Sequence, residues 1–330
     1  MRALLFALTA LLISAPARAQ EDDPASPLPA AARAALDAVP SEPLPEPEEH
    51  YPTSNEWRHD LFFDAIRDLG GAFVGVGTDQ CYTLAAVQNA SLLVVVDYDP
   101  IVPRVHRMYG VLVGASPTPA ELLARFDEGA ERETAALLEQ ALAGDPEQRA
   151  IVRTYRGNRG RFAQYLAHVA RLSRDGRASS WLSDPALYAR VRALFANGRV
   201  IARAGDVTGA TTLRGVGAAL RAASIPVRAI YFSNAEQFFR YTPDFAANLR
   251  ALPTDARSIV LRTFRHRRAV YPEGDTWHYM VQPVTDLDER ITAGYRRMPQ
   301  IVLDAISARL DPRGITVVSA STPRRYARTP

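Results

Sequence analysis

Cysteine is nearly absent from this chain: Cys81 is the only one in 330 residues. No intrachain disulfide is therefore possible, and no Cys/His spacing supports a zinc site. Lys-rich runs are absent too. The basic excess is arginine, spread along helical stretches without interleaved aromatics, and the net charge is only +3. That distribution is a solvated surface and not a nucleic-acid footprint. There is no G-x-S-x-G nucleophile elbow and no H-x-x-x-H pair, and no internal repeat is present. Beyond the first twenty residues, no run is long and apolar enough to span a membrane.

The two ends read as unfolded or removed. MRALLFALTALLISAPARAQ has the order of a secretory signal. Arg2 is the positive start, residues 4–13 are an apolar run too short to cross a bilayer, and Ala17-Arg18-Ala19 is an A-x-A cleavage site. The expectation is a signal peptide over 1–19, cut after Ala19, and a periplasmic or secreted mature chain without a transmembrane helix. Residues 20–50 are rich in Pro, Ala, Glu and Asp. They read as a disordered tether with a short helix at 31–39. A basic disordered tail is expected over 321–330.

Between the ends, strand and helix signals alternate. An amphipathic helix is expected in the leading segment 51–69, where Trp57, Leu61, Phe62, Ile66 and Leu69 fall at helical spacing. Apolar runs at 72–76, 92–96, 200–204, 227–232, 258–264, 277–283 and 315–319 read as strands. Helices are expected at 79–90, 101–113, 211–223, 237–251 and 286–310. Residues 116–198 carry charged and apolar residues at helical spacing and read as a four- or five-helix insertion. It separates a first part, 51–115, from a second part, 199–320, of one domain. The expected fold class is α/β: a doubly wound, mostly parallel, seven-stranded sheet.

Chemistry concentrates at the ends of the early strands. GAFVGVGTDQ ends an apolar run in the turn Gly75-Val76-Gly77, and the next run ends in Asp97 and Asp99. Glycine lets a backbone approach a ligand, a helix N-terminus attracts negative charge, and an acid after the second strand can bond a ribose. The turn reads equally as a plain strand-to-helix corner, and the two acids as caps before Pro100. Asp206 follows the next strand, either capping a helix or touching a ligand. Ser233, Asn234 and Glu236 follow the buried strand at 227–232, in a short polar loop where a site role is expected. Cys81 is read mainly as a small buried packing residue, with a dipole-activated thiol as the alternative. His106, His266 and His278 read as structural or surface residues. No metal site is expected; a carboxylate set of Asp97, Asp99 and Glu236 around a cation is the weakest alternative.

These patterns, and the phrases TSNEW (53–57), VGVGTDQ (74–80), DYDP (97–100) and YFSNAEQFF (231–239), resemble a family of uncharacterised bacterial proteins. That family is built on the class I S-adenosylmethionine-dependent methyltransferase fold, a Rossmann-like architecture. The resemblance implies that Gly75 and Gly77 face the methionine part of the cofactor and that Asp97, with Asp99, faces the ribose hydroxyls. It sets Asp206 by the adenine amino group and Ser233 and Asn234 near a methyl acceptor. Two departures bear on it. Phe73 stands where such enzymes carry an acid for the cofactor ammonium. Asp79 stands where many carry a third glycine, and would repel the cofactor carboxylate by about 1 kcal/mol in water and more in a drier cleft. Two readings follow. One is an exported ligand-binding or scaffold protein, degenerate at the S-adenosylmethionine site, with a small ligand in the cleft at the strand C-termini or a cell-envelope partner. The other is an active methyltransferase on an unknown acceptor.

Overall fold

The computed structural model describes residues 24–45 and 47–327, so the signal peptide expected over 1–19 lies outside the described residues. In chain order the strands are β1 (Ala72–Gly75), β2 (Leu92–Asp97), β3 (Ser173–Arg174), β4 (Arg177–Ala178), β5 (Val200–Ala204), β6 (Val227–Ser233), β7 (Ile259–Phe264), β8 (His278–Pro283) and β9 (Ile315–Val317). The helices are α1 (Ala30–Asp37), α2 (Phe63–Ile66), α3 (Gln80–Gln88), α4 (Ile101–Gly114), α5 (Pro119–Ala124), α6 (Glu131–Ala141), α7 (Gln148–Val169), α8 (Pro185–Ala196), α9 (Thr212–Ala222), α10 (Pro243–Ala251), α11 (Val284–Thr292) and α12 (Met298–Ser307).

The seven expected strands form one sheet in the order β5-β2-β1-β6-β7-β8-β9. β5, β2, β1, β6 and β7 are parallel. β8 pairs antiparallel with β7, and β9 parallel with β8. The fold is α/β, doubly wound and mostly parallel. Chain order reverses between β1 and β6, which opens a crevice at the C-terminal ends of those strands.

Period-2 alternation sorts the strand side chains between two cores. Phe73, Leu93, Val95, Tyr231 and Tyr279 face one side and pack with α3, α4 and residues of α5 to α8. Val74, Val94, Ile230, Phe232 and Met280 face the other, with residues of α1 and α9 to α12. Residues 116–198 therefore share the first core and supply much of one helical layer. Among them, Asp175 and Gly176 both take positive φ, +51° and +73°, and turn the β3–β4 hairpin in place of a helix break.

Several expectations are corrected. The tether expected over 20–50 instead lies on the domain from residue 24 to 45. Leu28, Leu36 and Val39 are buried in the second core, and the fully buried Arg199 donates to the Ser26 carbonyl at 2.6 Å. The tail expected from 321 is tied down as far as 327: Arg324 pairs with Asp286 and Glu289, and Arg290 donates to the Thr322 carbonyl. The leading amphipathic helix shrinks to a 3-10 turn, His59–Phe62, and α2. The Trp57 and Arg58 amides are drawn out of helix by the Asp275 carboxylate, at 2.7 and 3.2 Å. α10 begins only at Pro243, where the Thr242 hydroxyl caps Phe245 N. The helix expected over 286–310 is split at Gly294, φ +102°. Among the described residues no helix is long and apolar enough to cross a membrane.

Candidate functional site

Gly75 and Gly77 need glycine for different reasons. A Cβ on Gly75 would lie 2.8 Å from the Phe73 ring, so Gly75 serves packing beneath the turn. Gly77 takes φ +87°, a conformation that disfavours a side chain. Its N–H donates to Asp97 Oδ2 at 2.6 Å, and its carbonyl meets His106 Nε2 at 2.9 Å. His106 Nδ1 meets the Tyr82 hydroxyl at 2.7 Å. Burial lowers the His106 pKa to about 4, against the bond to the Gly77 carbonyl, so it is a neutral brace under the turn.

Asp97 is half-buried at the end of β2 and also accepts the Asp99 N–H at 2.9 Å. Burial raises its pKa to about 6, opposed by those two N–H bonds and aided by the Asp99 charge. Asp99 has another employment. Its carboxylate accepts Ile101 N at the start of α4, meets His50 Nδ1 at 2.9 Å and accepts Tyr51 N at 3.2 Å. It anchors the N-terminal segment across the sheet ends while also lining the cleft. Further along that segment, Glu42 accepts Asp206 N at 2.8 Å, Thr211 N at 2.9 Å and the Thr211 hydroxyl. Asp206 is turned into its own loop, accepting Thr208 N and its hydroxyl at 2.7 and 2.8 Å. It does not line the cleft.

Asp79, expected near a cofactor carboxylate, points the other way. It is buried and accepts Trp181 Nε1 at 3.1 Å, within the layer built by residues 116–198. Burial raises its pKa, against hydrogen bonds from Trp181 and Tyr165. Its carboxylate is not among the groups that line the cleft. Cys81 is fully buried with Sγ on the Val76 carbonyl, and burial pushes its thiol well up, which removes the activated-thiol alternative.

Ser233 and Asn234 reach the cleft; Glu236 does not. Glu236 is fully buried beside Arg262, N to O 2.8 Å, and accepts the Tyr241 hydroxyl at 2.5 Å. A site role for Glu236 is corrected, because it faces the buried Arg262 guanidinium and not the cleft. Glu236 therefore does not complete a cation set with Asp97 and Asp99, and among the described residues no group of three or more His, Cys, Asp or Glu could hold a metal ion. Ser233 takes φ +52°, strained for a residue with a side chain. Its hydroxyl donates to Glu56, a residue that the sequence offers only inside the TSNEW phrase. Glu56 is 1% exposed and also receives the Thr263 hydroxyl at 2.6 Å, the Tyr231 hydroxyl and His59 Nε2 at 3.2 Å. Burial alone would raise its pKa, but the His59 bond and charge and the Ser233 and Thr263 hydroxyls bring it below the ordinary value. Glu56 thus pins the leading segment to β6 and β7 under the cleft floor.

The cleft at the C-terminal ends of β1, β2 and β6 holds about 600 Å³, the size of a small-molecule site. Gly77, Asp97, Ser233 and Asn234 line it, and residues 47–55 form one wall. A larger, shallower groove of about 1400 Å³ runs beside the edge strand β9. It lies away from the strand ends that carry Gly77 and Asp97, so the smaller cleft is the candidate site.

A family model described as a domain of unknown function, DUF7790, matches residues 51–319. No curated protein matches the sequence. Among solved structures, one similar chain is an rRNA methyltransferase, aviRa, from Streptomyces viridochromogenes. It is 16% identical, with 73% of this chain and 90% of that chain covered and a TM-score of 0.36. A likeness at that score carries nothing about activity.

Proposed function

The chain belongs to the DUF7790 family of domains of unknown function, and from that premise we propose that it is an exported small-molecule-binding protein that has not kept an S-adenosylmethionine seat. The observation that carries this reading is the placement of residues 40–45 and 47–51. The segment crosses the ends of β5 and β2, with Glu42 bound to the 206–212 loop and Asp99 bound to His50 and Tyr51. Asp206, which the methyltransferase resemblance sets by the adenine, caps its own loop at Thr208 through one oxygen and does not line the cleft. Phe73 is buried and gives no carboxylate to an ammonium group. Titration of S-adenosylmethionine and S-adenosylhomocysteine into the mature chain tests the reading, and no binding by folded protein is expected. A periplasm-only reporter fused after residue 19 tests export.

An active methyltransferase is the second reading. One observation favours it: Asp79 faces away from the cleft while Gly77 and Asp97 remain in it. Micromolar cofactor binding abolished by Asp97→Ala would make it the better one.

A further inference from the structure

The cleft's ligand class can be narrowed from groups that the fold leaves free and from groups that it spends; this step rests on the ligand-binding reading above. The anion-binding donors of the glycine turn are spent. Gly77 N–H goes to Asp97, and Thr78 N–H goes to Gln80 Oε1 at 3.0 Å. A phosphate at that corner would find the Gly77 and Thr78 amides taken and would face the Asp97 and Glu49 carboxylates. Arg265 is a single cation against the three carboxylates of Glu49, Asp97 and Asp99 in the cleft lining. Its Nε and one Nη are held by Thr276, and its guanidinium lies 4.1 Å over the Trp277 ring.

What remains free is a mixed set. The side-chain amides of Asn234 and Asn55 have no protein partner among the described residues, and both line the cleft. Asp97 holds one N–H on each oxygen and keeps acceptor capacity on both. Around the mouth, three large aromatic side chains stand in solvent: Tyr51, Tyr98 and Phe238, at 54%, 42% and 81% exposure. Exposed aromatics gathered at one opening mark a binding surface. Each offers a flat π face at small entropic cost.

From this combination we propose that the cleft binds a neutral carbohydrate. A pyranose presents adjacent hydroxyls that donate to a carboxylate and bond both ways with an amide, and a C–H face that packs on an aromatic ring. A phosphorylated sugar is disfavoured by the spent turn amides. A purely apolar ligand would leave the Asn55 and Asn234 amides unpaired on burial and the remaining acceptor capacity of Asp97 unused.

The experiment uses the full mature chain. D-glucose, N-acetylglucosamine, cellobiose and chitobiose are titrated by calorimetry beside a broad glycan array, with adenosine and S-adenosylmethionine as separate arms. Saturable binding of a neutral sugar is the expected result. Asn234→Ala should raise the Kd about tenfold, the equivalent of a lost hydrogen-bond pair. Phe238→Ala, at a solvated position that cannot unfold the chain, should raise it roughly fivefold. A folded protein that binds no sugar on the array or in the calorimeter overturns the proposal. So does sugar binding that neither substitution weakens, or adenosine binding in place of sugar. Failure in the sugar arm alone leaves the ligand-binding reading standing, whereas binding in the S-adenosylmethionine arm overturns that reading itself.

Discussion

The Asp97 carboxylate holds the Gly77 N–H at 2.6 Å, so the acid ending β2 and the glycine after β1 close one corner of the cleft on each other. The same contact explains why the turn keeps its shape and why the Gly77 amide is not left for an anion. The neighbouring acid, Asp99, binds the chain's own segment at His50 and Tyr51. The site is thus defined as much by what the protein binds within itself as by what it leaves open.

Asp97 should give the stability curve a feature near pH 6. Its folded pKa, about 6, lies above the ordinary aspartate value, chiefly through burial. A raised acid favours the fold while protonated: the contribution is complete below about pH 4 and is lost as pH rises through about 6. Wild type should lose about 2 kcal/mol between pH 4 and 7 relative to Asp97→Asn. Urea unfolding of both proteins at the two pH values checks this; parallel curves would contradict it.

Glu56 should behave in the opposite sense. Its pKa is lowered on balance, because the His59 interaction and two hydroxyls outweigh burial. Its contribution is present above the ordinary glutamate range and is lost as pH falls through the depressed folded value. Glu56→Gln offers fewer acceptors to four donors and should cost about 2–4 kcal/mol at pH 7. The deficit should shrink in acid. Chemical denaturation at pH 7 and pH 3.5 measures it.

Glu236→Gln separates a buried partner from a site residue. Arg262 is fully buried beside it at 2.8 Å, and the substitution leaves that cation uncompensated. A loss of about 3–5 kcal/mol is expected. A stable variant with altered ligand binding would instead restore Glu236 to the cleft.

Glu42→Ala should release the 206–212 loop. Glu42 accepts Asp206 N and Thr211 N at the entry to α9, a role like that of a helix cap. A stability loss of about 1 kcal/mol is expected, with faster amide exchange confined to residues 206–212. Unchanged exchange there would show that the segment does not hold the loop.

The strands were legible because parallel strands buried on both faces need continuous apolar runs, as at 92–96 and 227–232. Gly77 and Asp97 were legible because their spacing follows from one β-α-β unit. Less was visible where a role depends on a distant partner. Asp79 faces inward because Trp181, about a hundred residues later, supplies the donor. Glu236 faces inward because Arg262 is buried on the neighbouring strand. Glu56 drew no attention because its four donors come from His59, Tyr231, Ser233 and Thr263, and only the fold gathers them. Residues 24–45 read as a tether because their apolar residues are few, yet Leu28, Leu36 and Val39 suffice to seat them beside α9.

The most direct measurement is isothermal titration of S-adenosylmethionine and S-adenosylhomocysteine into the chain from residue 20 onward, with Asp97→Ala as control. The expected result is no saturable heat from either compound in protein that unfolds cooperatively. Micromolar binding that disappears in Asp97→Ala would contradict the loss of the cofactor seat and make the protein a methyltransferase in search of its acceptor.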